Sequence, residues 1–148
     1  MITKPLHVAT VGKHQLRFFK TPNDDNRPDF PWHAVDDLQQ CLGLDHSERE
    51  IFQKIIWQDA DDRTAYRTIA ADGQLISIAP HYVAQGMIGA MIEVGWAPST
   101  VRAEYEQAGT EALKKLTVHL PFPSDAYFAW MKAAMTRHGD VAISPPPE

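Results

Sequence analysis

Apolar and polar positions alternate at the start of the chain. Leu6, Val8 and Val11 are spaced as one face of a strand, Gly12-Lys13-His14 supplies a turn, and Gln15-Leu16-Arg17-Phe18-Phe19-Lys20 follows as a second extended run. Two such runs around a glycine predict a β-hairpin. Residues 21–31 are dense in Pro, Asn and Asp and predict a loop. Trp32 to Val35 then reads as a short strand. From Asp36-Asp37 the period changes: Leu38, Cys41 and Leu42 share one helical face, and Gly43 stops the helix. Ser47 with Glu50 has the residue types and spacing of a capping box. The helix behind it carries Ile51, Ile55 and either Phe52 or Ile56 as its buried side, and Asp59-Ala60-Asp61-Asp62 closes it.

A second hairpin is predicted for 64–70 and 74–78 around Ala71-Asp72-Gly73. Pro80 suits the first turn of a helix to about Glu93 that is apolar nearly all round. Ser99 caps a long helix with Val101, Tyr105, Ala108, Ala112 and Leu116 in register. This narrow stripe fits either a coiled-coil dimer contact or packing inside the monomer. Pro121-Phe122-Pro123 is a rigid connector, Ser124 caps a final helix, and residues 141–148 read as a disordered tail. The expected fold class is α+β: a small antiparallel sheet of two β-hairpins plus a short strand, covered by helices. The expected organisation is an α+β unit over 1–96, a two-helix extension over 97–140 packed on it, and the tail.

At 148 residues, 44% hydrophobic and 22% charged, the chain can bury a sizeable core without disulfide or metal. No apolar run approaches the ~18 residues of a membrane span, and the first residues lack the apolar stretch of a signal peptide. The single cysteine suits a reducing compartment, so the expected location is cytoplasmic. The net charge of −5 hides a division. Residues 1–20 carry Lys4, Lys13, Arg17 and Lys20 with no acid, whereas residues 21–62 carry eleven acids against three bases. Such polarity can steer a charged partner.

Catalytic and metal motifs are sparse. The seven histidines form no HxH, HxxxH or HExxH pair, and CxxC is absent. The acidic run from Asp59 meets Ala70 where a calcium loop needs its bidentate Glu. Cys41, on an apolar helix face, reads as a buried thiol rather than a nucleophile. No phosphate-binding or dinucleotide fingerprint is present. The expectation is therefore a binding protein with no catalytic residue, no metal and no cofactor. Candidate nucleic-acid contacts are Lys13, Arg17 and Lys20 on the first hairpin with Arg63 and Arg67 at the second. Alternation with Leu16 and Phe18 turns Arg17 away from the core. The overall acidity works against nonspecific DNA binding, which depends on phosphate neutralisation. Asp59, Asp61 and Asp62 are the candidates for an acidic contact with a protein partner.

Leu16-Arg17-Phe18-Phe19, followed by Pro31-Trp32-His33-Ala34-Val35-Asp36-Asp37-Leu38-Gln39-Gln40-Cys41-Leu42-Gly43-Leu44, resembles the BRO-N domain. This is the N-terminal module of phage antirepressors and of baculovirus repeated-open-reading-frame proteins. Trp32 matches the family's Trp, Asp37 its helix-capping Asp, and Leu42-Gly43 its Leu-Gly. Asp36, His33 and Val35 depart from the pattern, and the later match at Ile78-Ala79-Pro80-His81-Tyr82 is poor. The resemblance covers about residues 6–95. It implies a non-enzymatic regulator of a phage, prophage or mobile element. Such a regulator acts on a protein partner, a repressor or host factor, with DNA as a second candidate partner and a homodimer as a candidate assembly. The alternative is an acidic DNA-mimic inhibitor of a host nucleic-acid-binding system, such as an anti-CRISPR protein. A third is a small enzyme using scattered His and Asp residues.

Overall fold

A five-stranded antiparallel sheet in the order β1-β2-β3-β5-β4 organises the computed structural model, which describes residues 3–22, 30–58, 66–118 and 129. The strands are β1 (His7–Val11), β2 (His14–Phe19), β3 (Trp32–Ala34), β4 (Arg67–Ala71) and β5 (Gln74–Ala79). The helices are α1 (Val35–Cys41), α2 (His46–Gln58), α3 (His81–Glu93) and α4 (Thr100–Thr117). The chain is thus α+β, with β3 joining the two predicted hairpins into one sheet. The expected final helix and tail lie outside the described residues, apart from Ala129.

Both hairpins close through two-residue turns, one residue tighter than the sequence pattern suggests. Val11 pairs with His14 around Gly12-Lys13, and Ala71 pairs with Gln74 around Asp72-Gly73. Asp72 and Gly73 both have positive φ, as a type I′ turn requires; in the first hairpin only Gly12 does, the type II′ pattern. Gly12 is constrained twice over. Its φ is +62°, and a Cβ there would lie 2.9 Å from the Cys41 carbonyl oxygen. Gly43 also has a positive φ, of +74°, but open space around it. Gly12→Ala is therefore expected to cost about 2–4 kcal/mol and Gly43→Ala about 1–2 kcal/mol. Urea denaturation of the two variants checks the order, and equal losses would contradict the Cys41 contact.

Alternation along β2 divides the buried residues between the two faces of the sheet. On one face Leu16 and Phe18 join Val11, Leu38, Cys41, Leu42, Met87, Ile88, Met91, Val101, Tyr105 and Ala108 in the larger core. On the other, Phe19 meets Trp32, Ala34, Ile76 and Ile78. Trp32 is thus buried against the sheet, as its position beside Phe19 predicts.

Several helix ends differ from the sequence reading. The capping box of α2 is formed by Asp45 and Glu48, not Ser47 and Glu50. The Asp45 carboxylate accepts the Glu48 N–H at 2.8 Å, and Glu48 Oε1 accepts the Asp45 N–H at 2.9 Å. Leu44 is anchored in the core immediately before Asp45, which fixes where the helix begins. Ile51, expected inside, is 47% exposed because it sits at the edge of the apolar arc formed by positions 51, 52, 55 and 56. Pro80 is the N-cap of α3 rather than its first residue, and the Ser99 hydroxyl makes no cap bond to α4.

Instead of being enclosed all round, α3 buries one face, with Val83, Ala84, Met87, Ile88 and Met91 inside and Tyr82, Gln85 and Gly86 exposed. The α4 stripe is used within the chain. Val101, Tyr105, Ala108 and Ala112 pack into the larger core, and the buried line then turns to Leu113 and Thr117 while Leu116 is half-buried. The surface it covers is a twisted sheet rather than a second straight helix.

Candidate functional site

The described basic candidates do not form one patch. Lys13 is exposed in the β1–β2 turn and Lys20 is exposed beyond the far end of β2, roughly 23 Å away along an extended chain. Arg67 is exposed at the start of β4 and donates to the Tyr66 carbonyl at 3.5 Å. Arg63, Asp59, Asp61 and Asp62 lie outside the described residues. Arg17, the centre of the expected DNA-binding ribbon, is instead held by the protein itself.

The strand geometry explains this. Arg17 pairs with Val8 in a position whose N–H and C=O point away from β1, toward β3. However, β3 ends at Ala34 and α1 begins at once, so the ladder stops short of Arg17. Asp37 on the first turn of α1 takes the vacant place. Its Oδ2 accepts the Arg17 main-chain N–H at 3.0 Å and Nε–H at 2.8 Å, while Oδ1 accepts from Nη2 at 3.0 Å. Nη1 of the same guanidinium donates to Asp72 in the second hairpin turn at 2.9 Å. One arginine thereby links the first hairpin, α1 and the second hairpin. Its pKa rises, first through the Asp37 hydrogen bond, although burial opposes that shift. Asp37 is not the helix-capping residue expected of it. Ala34 occupies the N-cap with no side-chain cap bond, and the carboxylate satisfies a strand N–H instead.

Cys41 is buried against the first hairpin, its thiol 3.7 Å from the His14 carbonyl. Burial, with Asp37 nearby, pushes the thiol pKa up to about 12, so the thiolate a nucleophile needs is scarce near neutral pH. Among the described residues no group of three or more His, Cys, Asp or Glu is arranged to hold a metal ion.

An imidazole and aromatic cluster that the sequence pattern did not single out lies between sheet and helices. His33 is fully buried in β3 with neither ring nitrogen hydrogen-bonded among the described residues. It meets Tyr105 edge-on, while His81 stacks on the same tyrosine and shares a 2.8 Å hydrogen bond between Nδ1 and its hydroxyl. Burial holds His33 down to about 3, helped by His81, and holds His81 down to about 4. Both rings are therefore neutral at physiological pH.

The outer side of β1 forms a second feature that periodicity could not show. His7, Val8, Ala9 and Thr10 line one wall of an open groove of about 290 Å³, and Glu104, Gln107, Ala108 and Glu111 of α4 line the other. Glu104 of the helical wall also accepts the Gly12 N–H from the β1–β2 turn. The only sequence signal for it was the spacing of these four α4 residues, which lie on one side of a helix.

Against family models, curated proteins and solved structures, the chain finds no match. No described helix is long and apolar enough to cross a membrane.

Proposed function

We propose that the chain is a non-enzymatic regulatory module of the BRO-N type, belonging to a phage, prophage or related mobile element and acting on a protein partner of the repressor class. The observation that carries this reading is the meeting of the two sequence pieces that bear the resemblance. Residues 16–19 and 31–44 are separated by eleven residues of sequence, yet they adjoin through the pairs Phe18–His33 and Phe19–Trp32 and through the Arg17–Asp37 ion pair. Residues that match a family pattern only as isolated signals need not converge in this way. The buried, protonated Cys41 also favours binding over nucleophilic chemistry. Protein binding is favoured over direct DNA contact because the guanidinium that would reach a groove is already shared between Asp37 and Asp72.

The test uses a fluorescently labelled operator bound by the element's repressor at ~100 mM salt. Added protein should release the operator in proportion to the repressor titrated, and it should not bind the operator alone. No release at a tenfold excess would overturn the reading. A direct shift of the operator that disappears in Lys13→Glu/Lys20→Glu would overturn it in favour of DNA contact. These two lysines are the proper test of the DNA surface, since replacing Arg17 disturbs the fold.

A further inference from the structure

The groove beside β1 has the features of a strand-addition site. β1 is an edge strand, and its alternation with β2 points the N–H and C=O of Val8 and Thr10 outward from the sheet. Edge groups of this kind are a template for another chain unless something blocks them, and no described residue pairs with them. The α4 wall runs from Glu104 to Glu111, about 10 Å of helix, and matches the length of His7 to Thr10 in extended form. Such a groove admits three to four residues of extended chain, as in recognition by β-augmentation.

The chemistry of the walls selects the occupant. Glu104 and Glu111 are the charged residues facing the groove from α4, and no lysine or arginine lines it among the described residues; Lys115 is one turn beyond, where its charge reaches His7. The His7 side chain is 10% exposed and, among the described residues, has neither nitrogen hydrogen-bonded, with Nε2 3.8 Å from the Glu111 carboxylate. Within those residues a polar ring is therefore buried at the groove wall without its hydrogen bond. On the opposite face of β1, Val8 is 44% exposed and offers an apolar cross-strand neighbour. We infer that this groove binds an extended basic segment of a partner protein as a sixth strand, with basic side chains toward α4 alternating with β-branched ones beside Val8.

This inference rests on the partner-binding reading and deepens it, but its test needs no repressor, so the two fail separately. A labelled Lys-Val-Lys-Val-Lys-Val peptide is titrated with the full chain and followed by fluorescence anisotropy. Saturable binding is expected, weakening at least tenfold in Glu111→Lys and with rising salt, and absent for the Glu-Val counterpart peptide. Thr10→Pro removes the outward N–H of an edge strand and should abolish binding. In the unmutated protein, peptide should slow hydrogen exchange at the Val8 and Thr10 amides, a readout that does not depend on the proline variant folding. Peptide binding without added protection at those amides would overturn the proposal, as would no saturable binding. A dimer that becomes monomeric in Thr10→Pro and takes up no peptide would also overturn it, assigning the edge to a second copy of the chain.

Discussion

Replacing Arg17 by Ala is expected to destabilise the protein by roughly 2–4 kcal/mol, the loss associated with breaking a largely buried ion pair and leaving one partner uncompensated. The Arg17 and Asp37 side chains are 22% and 13% exposed, so solvent screens the pair only in part. The substitution leaves the Asp37 carboxylate with a single strand N–H, and Asp72 without its guanidinium. Asp37→Ala should cost a similar amount, because it strands both the guanidinium and the Arg17 N–H that β3 does not reach. Asp72→Asn, which keeps a residue type that tolerates the positive φ of this turn position, should cost under about 1 kcal/mol, since the Asp72 side chain is 63% exposed and its ion pair is screened. For a chain of this size the first two correspond to a fall in Tm of roughly 5–15 °C. Thermal and urea unfolding measure all three, and the Arg17→Ala/Asp37→Ala double variant should lose less than the sum of the singles. If Arg17→Ala unfolds within about 0.5 kcal/mol of the parent, the guanidinium is not what joins the two hairpins.

The second large effect is acid sensitivity. In the folded protein His33 and His81 stay neutral down to about pH 3 and 4, because burial excludes the charged ring. In the unfolded chain both take up protons near pH 6.5. Below that pH the unfolded state binds more protons, so stability is fully present above pH 6.5 and falls as the pH drops toward 4. The expected loss across that window is roughly 3–6 kcal/mol, enough to bring a domain of ordinary stability close to unfolding. His33→Phe keeps a ring beside Tyr105 and removes the titrating nitrogens, so the slope of stability against pH should fall by about half. Urea midpoints measured at half-unit intervals from pH 7 to 4 test this directly. A flat profile to pH 4.5 would mean that the imidazoles accept protons without unfolding.

Both effects arise from residues whose individual roles the sequence pattern left open or misread. Alternation correctly turned Arg17 away from the Leu16 and Phe18 face, and from that position a solvent-facing contact was the natural expectation. Periodicity gives the face of a strand, but it does not reveal what covers that face. Here α1 starts one residue after β3 and delivers Asp37 to the unfinished edge of β2, a relation across twenty residues that no local rule contains. The Asp45–Glu48 box illustrates the same limit at shorter range. The sequence reading placed the box at Ser47 and Glu50, and the anchoring of Leu44 in the core set it two residues earlier, at Asp45 and Glu48.

What the sequence determined by itself is local and repetitive: two hairpins with glycine in their turns, a strand at Trp32, a helix through Leu38 and Leu42 ended by Gly43, the existence of α3 and the apolar stripe of α4. Those features follow from side-chain period, turn chemistry and capping, which neighbouring residues settle among themselves. The tertiary structure alone decided that Arg17 binds inward rather than outward, that His33 and His81 meet on Tyr105, and that the carboxylates of α4 come to flank the outer side of the edge strand β1. Each of these depends on how distant segments pack. Burial then sets the charge of an imidazole, and an ion pair sets the availability of a guanidinium, through distances that the order of residues does not encode locally.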